Sequence, residues 1–374
     1  MSRVLLLVYI QACIIGVAYG AHAPLLPVFA KQELAASYAD IGLIGMANYV
    51  PYMFMPALVG MLLDRFNKGS ILSIGITISM FSVYMLSLSA SVLDVMLIRA
   101  LSGIAHAFFW PSAVAIVTDA VGQEQRVQVI SRFTMAWVGG YMVGPLVGAF
   151  LFEQFGFREL FQYSAFIMVA SLMISLSLIR HVRVGYAEGY SVSTVFTIIK
   201  ANPKLSTLVM YYSASFGIVL TIFPAYLKDN MINEFAIGIL FFIFGLSRLF
   251  TLPFTQKFAK NERFSIFVAT ESIAFAMLAA YAITTIGSFS LSLIMFGFAF
   301  SLYFPLTLSA VTKDTRRNLV GTTIGAYETI FGIGWAAGSV VAGVVSDTFG
   351  NDIPYISMFA IGIALPLLVL AYKR

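Results

Sequence analysis

Residues 128–152 read QVISRFTMAWVGGYMVGPLVGAFLF, a stretch of 25 residues that carries a single charge, Arg132. An α-helix needs about 20 predominantly apolar residues to cross the hydrocarbon core of a bilayer, so this stretch predicts a transmembrane helix. The strands of a membrane barrel would instead be about 10 residues long and would alternate between apolar and polar residues. The length and continuity of the stretch therefore favour a helix.

Similar apolar runs recur along the whole chain and are separated by short connections. They cover residues 4–29, 39–63, 69–90, 92–118, 128–152, 157–179, 205–227, 235–257, 264–285, 288–311, 319–346 and 353–372. Only 10% of the 374 residues are charged, whereas soluble domains carry about 25%. Such a chain cannot cover its surface in water. We therefore expect an all-α membrane protein with twelve transmembrane helices.

The distribution of basic residues predicts the orientation in the membrane. With the N-terminus inside, 17 of the 22 lysine and arginine residues lie in cytoplasmic segments, three lie outside and two lie within spans. The positive-inside rule then places both termini in the cytoplasm, in a plasma or inner cell membrane. The net charge of +5 is explained by this topology, so the lipid bilayer is the expected surrounding and a nucleic-acid partner is not expected. The single cysteine, Cys13, excludes a cysteine-rich metal site, and no metal is expected.

The two halves of the sequence repeat weakly at a shift of 194 to 197 residues. The matched pairs are Gly20-x6-Pro27 with Gly217-x6-Pro224, Phe109-Trp110-Pro111 with Tyr303-Phe304-Pro305, Gly140-x3-Gly144 with Gly334-x3-Gly338, and Phe155-Gly156 with Phe349-Gly350. Two six-helix halves are the architecture that transporters use for alternating access. We predict pseudo-symmetric six-helix bundles at 1–180 and 205–374, joined by a cytoplasmic linker at 181–204 that contains a short interfacial helix.

Residues 60–69, GMLLDRFNKG, resemble a loop signature of the major facilitator superfamily, G-x-L-x-D-R-x-G-R-[KR], with Asn67 in place of a glycine. The resemblance implies the superfamily's fold and a cytoplasmic gate. The gate residues that it implies are Gly60, Asp64, Arg65 and Lys68. The alternative interpretation is a simple turn whose charges set the topology.

Two further motifs extend the resemblance. Residues 97–103, LIRALSG, resemble the signature R-x-x-Q-G with Ser102 in place of glutamine, and residues 140–148, GYMVGPLVG, resemble the antiporter signature G-x3-G-P-x2-G. The antiporter motif comprises Gly140, Gly144, Pro145 and Gly148. In the superfamily this motif accompanies proton-coupled exporters, and the resemblance assigns Arg99 to proton coupling. Packing of small residues between helices, with Arg99 in a structural pair, is the alternative.

Charged residues inside apolar spans are costly and mark functional sites by default. In the second half these residues are Arg248, Glu271 and Glu328. Arg248 and Glu328 both lie about 14 Å from the inner ends of their spans at 1.5 Å per residue, so an ion pair between them is geometrically feasible. We hypothesise that Glu328 alternates between pairing with Arg248 and accepting a proton. For Glu271 we favour a structural or interfacial role over proton coupling.

Polar and aromatic residues within the spans are weaker candidates. His106, in the middle of the fourth span, can titrate in a useful pH range, although a lone histidine in a helix more often serves packing. Candidate groups for the substrate cavity are His22, Asn48, Tyr52, Trp110, Tyr141, Tyr303 and Trp335. Aromatic packing is the alternative for each of them.

The absence of certain motifs argues against some classes of function. No G-x4-G-K-[ST] loop occurs, which argues against ATP-driven transport on this chain, and no H-E-x-x-H or G-x-S-x-G motif favours an enzyme. We expect a monomeric secondary transporter without a cofactor, a proton-coupled antiporter that exports a small amphipathic compound. Two alternatives stay open: an importer or uniporter for a sugar or organic acid, and a membrane receptor that transports nothing.

Overall fold

The computed structural model describes residues 3–122, 125–180, 203–312 and 320–365, and within these ranges all regular structure is helical. The helices of the first half are α1 (Arg3–His22), α2 (Leu26–Glu33), α3 (Tyr38–Arg65), α4 (Lys68–Leu86), α5 (Val92–Asp119), α6 (Arg126–Phe155) and α7 (Phe157–Leu178). Those of the second half are α8 (Pro203–Thr221), α9 (Phe223–Asp229), α10 (Glu234–Thr251), α11 (Thr255–Ala259), α12 (Glu262–Ala282), α13 (Ile286–Thr312), α14 (Val320–Phe349) and α15 (Ile353–Ala364).

Each predicted span corresponds to one helix or to a short succession of helices. Among the described residues, nine spans are long and apolar enough to cross a membrane, and the bent pair α8 and α9 makes a tenth. The remaining two predicted spans correspond to α3, which has 28 residues, and to α15, which has 12 described residues. These helices confirm the prediction of an all-α membrane fold. The predicted interfacial helix lies outside the described residues.

Prolines interrupt two spans that the sequence repeat relates. Helix α1 ends at His22 and α2 begins at Leu26, with Pro27 in its first turn, while α8 and α9 are bent by 45° just before Pro224. Proline lacks a backbone N–H and fits the first turn of a helix, where that donor has no intrahelical partner. Both spans were predicted as continuous helices, because an apolar run does not reveal a local break.

Glycines with positive φ angles form the turns at Gly156 and Gly350, the last matched pair of the sequence repeat. Their φ angles are +92° and +123°, and they join α6 to α7 and α14 to α15. Residues with a Cβ atom rarely adopt this conformation, so glycine is required at both turns.

The chain forms two compact units. The first comprises Met1–Ala35, Ala47–Gly189 and Asn233–Phe242, and the second comprises Ala36–Met46, Tyr190–Ile232 and Ile243–Arg374. Each unit therefore contains most of one half of the sequence together with one short segment from the other half.

In the first unit, α1 packs against α6 through glycines that leave no room for side chains. A Cβ atom on Gly140 would collide with the carbonyl oxygen of Cys13, and one on Gly148 with the carbonyl oxygen of Ala21. Gly144 lies against the backbone of Gly20 in the same way. Glycines spaced four residues apart allow such close helix contacts. The predicted antiporter motif is therefore the contact surface between these two helices.

The second unit repeats this arrangement with α8 and α14. A Cβ atom on Gly338 would lie 2.5 Å from the Cα and the carbonyl oxygen of Ala214, and one on Gly217 would lie 2.6 Å from the carbonyl oxygen of Trp335. The matched glycines of the sequence repeat thus make equivalent helix contacts in both units.

Within the second unit, the first turn of α3 is bound by two aspartates. The Asp347 carboxylate accepts hydrogen bonds from the backbone N–H groups of Tyr38, at 3.0 Å, and Ala39, at 2.8 Å. The Tyr38 hydroxyl donates to Asp229 at 2.6 Å, and the Asn351 amide donates to the same carboxylate at 3.1 Å. A carboxylate at this position satisfies N–H groups that have no partner within the helix.

We expect Asp347→Asn to loosen the start of α3 without unfolding the unit. Loss of a charged cap costs about 1 kcal/mol, which corresponds to roughly fivefold faster local opening. Hydrogen–deuterium exchange at Tyr38 and Ala39 measures this opening. The control is Asp94→Asn, which alters the local cap of α5 at Ser91. If both variants left exchange at Tyr38 unchanged, Asp347 would not hold this helix.

Candidate functional site

In the first unit, the Arg99 guanidinium lies within the membrane-spanning helix α5. It interacts electrostatically with the hydroxyls of Tyr19, Tyr49 and Tyr141. Its Nε atom has no hydrogen-bond partner among the described residues. The Asn48 side-chain amide donates to the Arg99 carbonyl oxygen at 3.1 Å, which fixes α3 against α5 at this level. An arginine surrounded by phenols keeps N–H groups available for a ligand or a changing partner.

Tyr19 connects this arginine to both histidines. The Tyr19 ring lies 4.5 Å from the His106 ring and 5.6 Å from the His22 ring, between centroids, and its hydroxyl donates to Ser79 at 2.8 Å. His22 is fully buried, and its Nδ1 donates to the Ala18 carbonyl oxygen at 2.8 Å. His22 is thus hydrogen-bonded within its own helix, and its place in the substrate cavity stays a prediction. His106 lies on the same helix as Arg99.

Aromatic rings pack against one another in the first unit. Trp137 stacks on Tyr141 at 4.9 Å and lies 5.4 Å from Trp110, which contacts Phe133 edge to face at 5.2 Å. Tyr52 contacts Tyr49 at 6.1 Å. The structure thus joins Trp110 and Tyr141, two of the predicted cavity residues, in one aromatic cluster beside Arg99.

In the second unit, Arg248 is buried and stacks on aromatic rings. Its guanidinium carbon lies 4.3 Å from the centroid of Phe300 and 5.5 Å from that of Phe244, and Ser301 donates to its carbonyl oxygen at 3.3 Å. Cation–π contacts of this kind stabilise a desolvated guanidinium by about 2 kcal/mol. Aromatic faces therefore provide part of the environment that a buried arginine requires.

Glu328 and Arg248 both act electrostatically on the buried hydroxyl of Tyr212. Within the described part of the chain, however, no hydrogen bond or ion pair joins the two charged groups. The Tyr212 ring stacks on Tyr303 at 4.8 Å. Both predicted partners therefore act on the same phenol, and the hypothesised alternation between pairing and protonation stays a prediction.

Further aromatic residues surround this region of the second unit. Phe216 lies 4.0 Å from Phe300 and 4.5 Å from Trp335, and Phe331 lies 5.5 Å from Tyr212. Both units thus combine a charged group within a span with a cluster of large rings. Such surfaces suit a molecule that has an aromatic or aliphatic body and a polar group.

Glu271, the third charged residue within the spans of the second half, acts on Tyr211, a different phenol from Tyr212. It is only partly buried in α12, and it acts electrostatically on Tyr211, whose hydroxyl donates to the Met358 carbonyl oxygen at 3.2 Å. This contact is in keeping with the structural role that the sequence analysis favours, which stays a prediction.

The predicted gate motif joins several helix ends of the first unit. Lys68 forms an ion pair with Asp119 at the end of α5. Asn67 caps α4 by accepting hydrogen bonds from the backbone N–H groups of Gly69 and Ser70, and it donates to the Ile179 carbonyl oxygen at 3.0 Å. The residue that departs from the superfamily signature is therefore a structural cap.

The structure does not test a gating role for the other three residues of the motif. Arg65 is exposed, Gly60 is partly buried, and the Asp64 side chain lies outside the described part. The gating role of all four residues stays a prediction.

The profile of the Major Facilitator Superfamily matches residues 8–339 of the chain. The chain belongs to this superfamily. The match covers most of both units, including all of the buried charges discussed above. Membership in this superfamily, together with its transporter relatives, identifies the chain as a multi-pass membrane transporter of small molecules and not an enzyme.

Two curated relatives of the superfamily span nearly the same length. The chain is 23% identical over 385 residues to the quinolone resistance protein NorA of Staphylococcus aureus, covering 100% of this chain and 97% of the relative. It is 24% identical over 358 residues to the uncharacterized MFS-type transporter MJ1560 of Methanocaldococcus jannaschii, covering 92% of each.

Solved superfamily structures show the same fold. The nucleoside transporter NupG matches with a TM-score of 0.81 at 16% identity over 100% of both chains. A POT family transporter in complex with 5-aminolevulinic acid matches with a TM-score of 0.87 at 11% identity, over 99% of this chain and 96% of the other.

The sequence analysis missed two residues that organise these sites, Tyr19 and Tyr212. Each is a buried tyrosine that lies next to charged groups from another helix. Their positions in apolar runs gave no signal beyond ordinary aromatic packing. Only the arrangement of helices shows which tyrosine faces a charge.

Proposed function

We propose that this superfamily member is a proton-coupled antiporter, which exports a small amphipathic compound from the cell by alternating access. The observation that carries the proposal is Glu328, a carboxyl group within a spanning helix that has no ion-pair partner in the described structure and acts, like Arg248, on the buried hydroxyl of Tyr212. A carboxyl group inside a membrane is costly and is retained where it serves ion or proton movement.

The two aromatic clusters support the proposed type of substrate. Each unit places large rings beside a charged group, at Arg99 in the first and at Arg248 in the second. The name of the NorA relative supports a drug-like, amphipathic substrate at a distance of 23% identity. The excess of lysine and arginine in alternate connections supports placing both termini in the cytoplasm.

The proposal is tested in proteoliposomes that contain a trapped pH-sensitive dye. Ethidium, a quinolone, a sugar and an organic acid are added separately under an imposed pH gradient. We expect ethidium or the quinolone to trigger proton release from the vesicles. Proton movement in the same direction as a sugar or organic acid would instead identify an importer. Saturable binding without flux of any compound would identify a receptor.

We expect Arg99→Lys to reduce proton-coupled transport about tenfold while the protein stays folded. The planar guanidinium offers five N–H donors in a fixed fork, and an ammonium group cannot interact in the same way with three tyrosines. Initial rates of ethidium transport at saturating concentration measure the loss. The matched control is Arg132→Lys on the exposed side of α6, which should keep the full rate. Equal rates for both variants would remove Arg99 from the mechanism.

A further inference from the structure

A long apolar groove runs along the second unit between α10, α13 and α12. It consists of two adjoining concave spaces of about 530 and 470 Å³, and each lies in the size range of ligand sites. The two spaces share Phe250, Thr251 and Phe298. The groove therefore extends from Ile243 at one end to Lys257 at the other.

The groove owes its shape to a break in the helix. Pro253 ends α10 and forces a 3-10 turn at Leu252–Phe254 before α11 begins. Residues 243 to 257 would rise about 21 Å along a helix at 1.5 Å per residue. That length exceeds half of the hydrocarbon core, which is about 15 Å. The groove is thus long enough to hold an acyl chain of one leaflet.

The walls of the groove present apolar surface despite their hydroxyl groups. Ser247 donates its hydroxyl to the Ile294 carbonyl oxygen at 2.7 Å, and Thr251 donates to the Ser247 carbonyl oxygen at 2.8 Å. Phe250 is 67% exposed and Phe254 is 49% exposed, so the rings stand open to the surroundings. A hydrocarbon chain fits such walls, whereas a polar ligand would find few free partners.

One end of the groove is basic. The Lys257 side chain is exposed, lines the groove, and lies with its Nζ 5.2 Å from the centroid of the Phe254 ring. Lys260 and Arg263 follow within the next two turns, against a single acid, Glu262. Basic residues at the end of an apolar groove match the phosphate and the acyl chain of an anionic phospholipid.

We propose that this groove binds one anionic phospholipid, with an acyl chain along Phe250 and Phe298 and the phosphate at Lys257. The site lies on the second unit alone and does not depend on the proposed proton coupling. It adds a specific lipid to the partners of this transporter.

Native mass spectrometry of the delipidated, full-length protein tests the proposal. Phosphatidylglycerol and phosphatidylcholine with identical acyl chains are titrated separately. Phosphatidylglycerol carries a net negative charge, whereas the choline group of phosphatidylcholine neutralises its phosphate. We expect phosphatidylglycerol to bind about fivefold more tightly, since one basic residue beside a net negative headgroup contributes about that factor. Lys257→Gln should abolish the difference and Lys257→Arg should restore it.

Two controls keep the test independent of folding. Arg132→Gln, which removes a basic residue from α6, should keep the preference for phosphatidylglycerol. Ser272→Trp, which fills the groove, should weaken binding of both lipids. Equal affinities in the wild type, or a preference that survives Lys257→Gln, would overturn the proposal. A dimer that Ser272→Trp disrupts would also overturn it, because a second copy of the chain would then occupy the groove.

Discussion

Gly140→Ala is expected to destabilise the protein strongly, whereas Gly139→Ala, one residue earlier, is expected to have no harmful effect. A Cβ atom on Gly140 would collide with the carbonyl oxygen of Cys13 in α1, while one on Gly139 would meet nothing within 4 Å. Inserting a methyl group into a packed contact costs 1–3 kcal/mol, and more where the neighbour is backbone that cannot rotate away. At an open helix position, alanine is favoured over glycine by about 1 kcal/mol.

Thermal unfolding in detergent, followed by tryptophan fluorescence, measures the difference between the two variants. We expect Gly140→Ala to lower the Tm by roughly 5 °C or more and Gly139→Ala to leave it unchanged or slightly raised. The same comparison extends to the second unit, where Gly338→Ala would crowd the backbone of Ala214. Equal Tm values for Gly139→Ala and Gly140→Ala would contradict the close packing of α1 on α6.

Glu328→Gln is expected to abolish proton-driven transport while substrate exchange without a gradient continues. Glutamine has the size and hydrogen-bonding groups of a protonated glutamate but cannot release a proton. The side chain would therefore be held permanently in a state like the neutral acid beside Tyr212. Transport driven by a pH gradient should fall to the level of protein-free vesicles, and counterflow of labelled substrate should persist.

Glu271→Gln is the matched control for this experiment, because Glu271 is also a carboxylate within a spanning helix but interacts with Tyr211. We expect it to retain proton-driven transport. Loss of counterflow in Glu328→Gln would mean that the residue serves folding or substrate binding. Full proton-driven transport in the same variant would exclude Glu328 as the proton carrier.

Much of the fold could be predicted from the sequence because membrane insertion depends on local properties. The length of an apolar run sets a span, and the structure begins and ends helices such as α5 and α7 within two residues of the predicted bounds. The glycine repeat was equally readable, since spacing of four residues places Gly140 and Gly144 on one helix face. The partner of that face, α1, is a long-range contact and had to come from the structure.

The candidate site was predictable only in part. Charges such as Arg99 and Glu328 stand out in apolar runs, and their cost in a membrane marks them. The influence of both Glu328 and Arg248 on Tyr212 depends on how three helices pack, which no local pattern encodes. The contact of Tyr38 with Asp347 joins residues 309 positions apart, and each looks like an ordinary loop or helix-end residue in the sequence.

Uphill transport of ethidium in proteoliposomes tests the central claim, proton-coupled antiport, most directly. Ethidium carries a permanent charge, so a pH gradient alone does not concentrate it, and the membrane potential is clamped with valinomycin and potassium. We predict that vesicles with an acidic interior accumulate ethidium above its equilibrium level, and that vesicles with equal pH or with Glu328→Gln do not. Accumulation that is independent of the pH gradient, or that requires an alkaline interior, would contradict antiport.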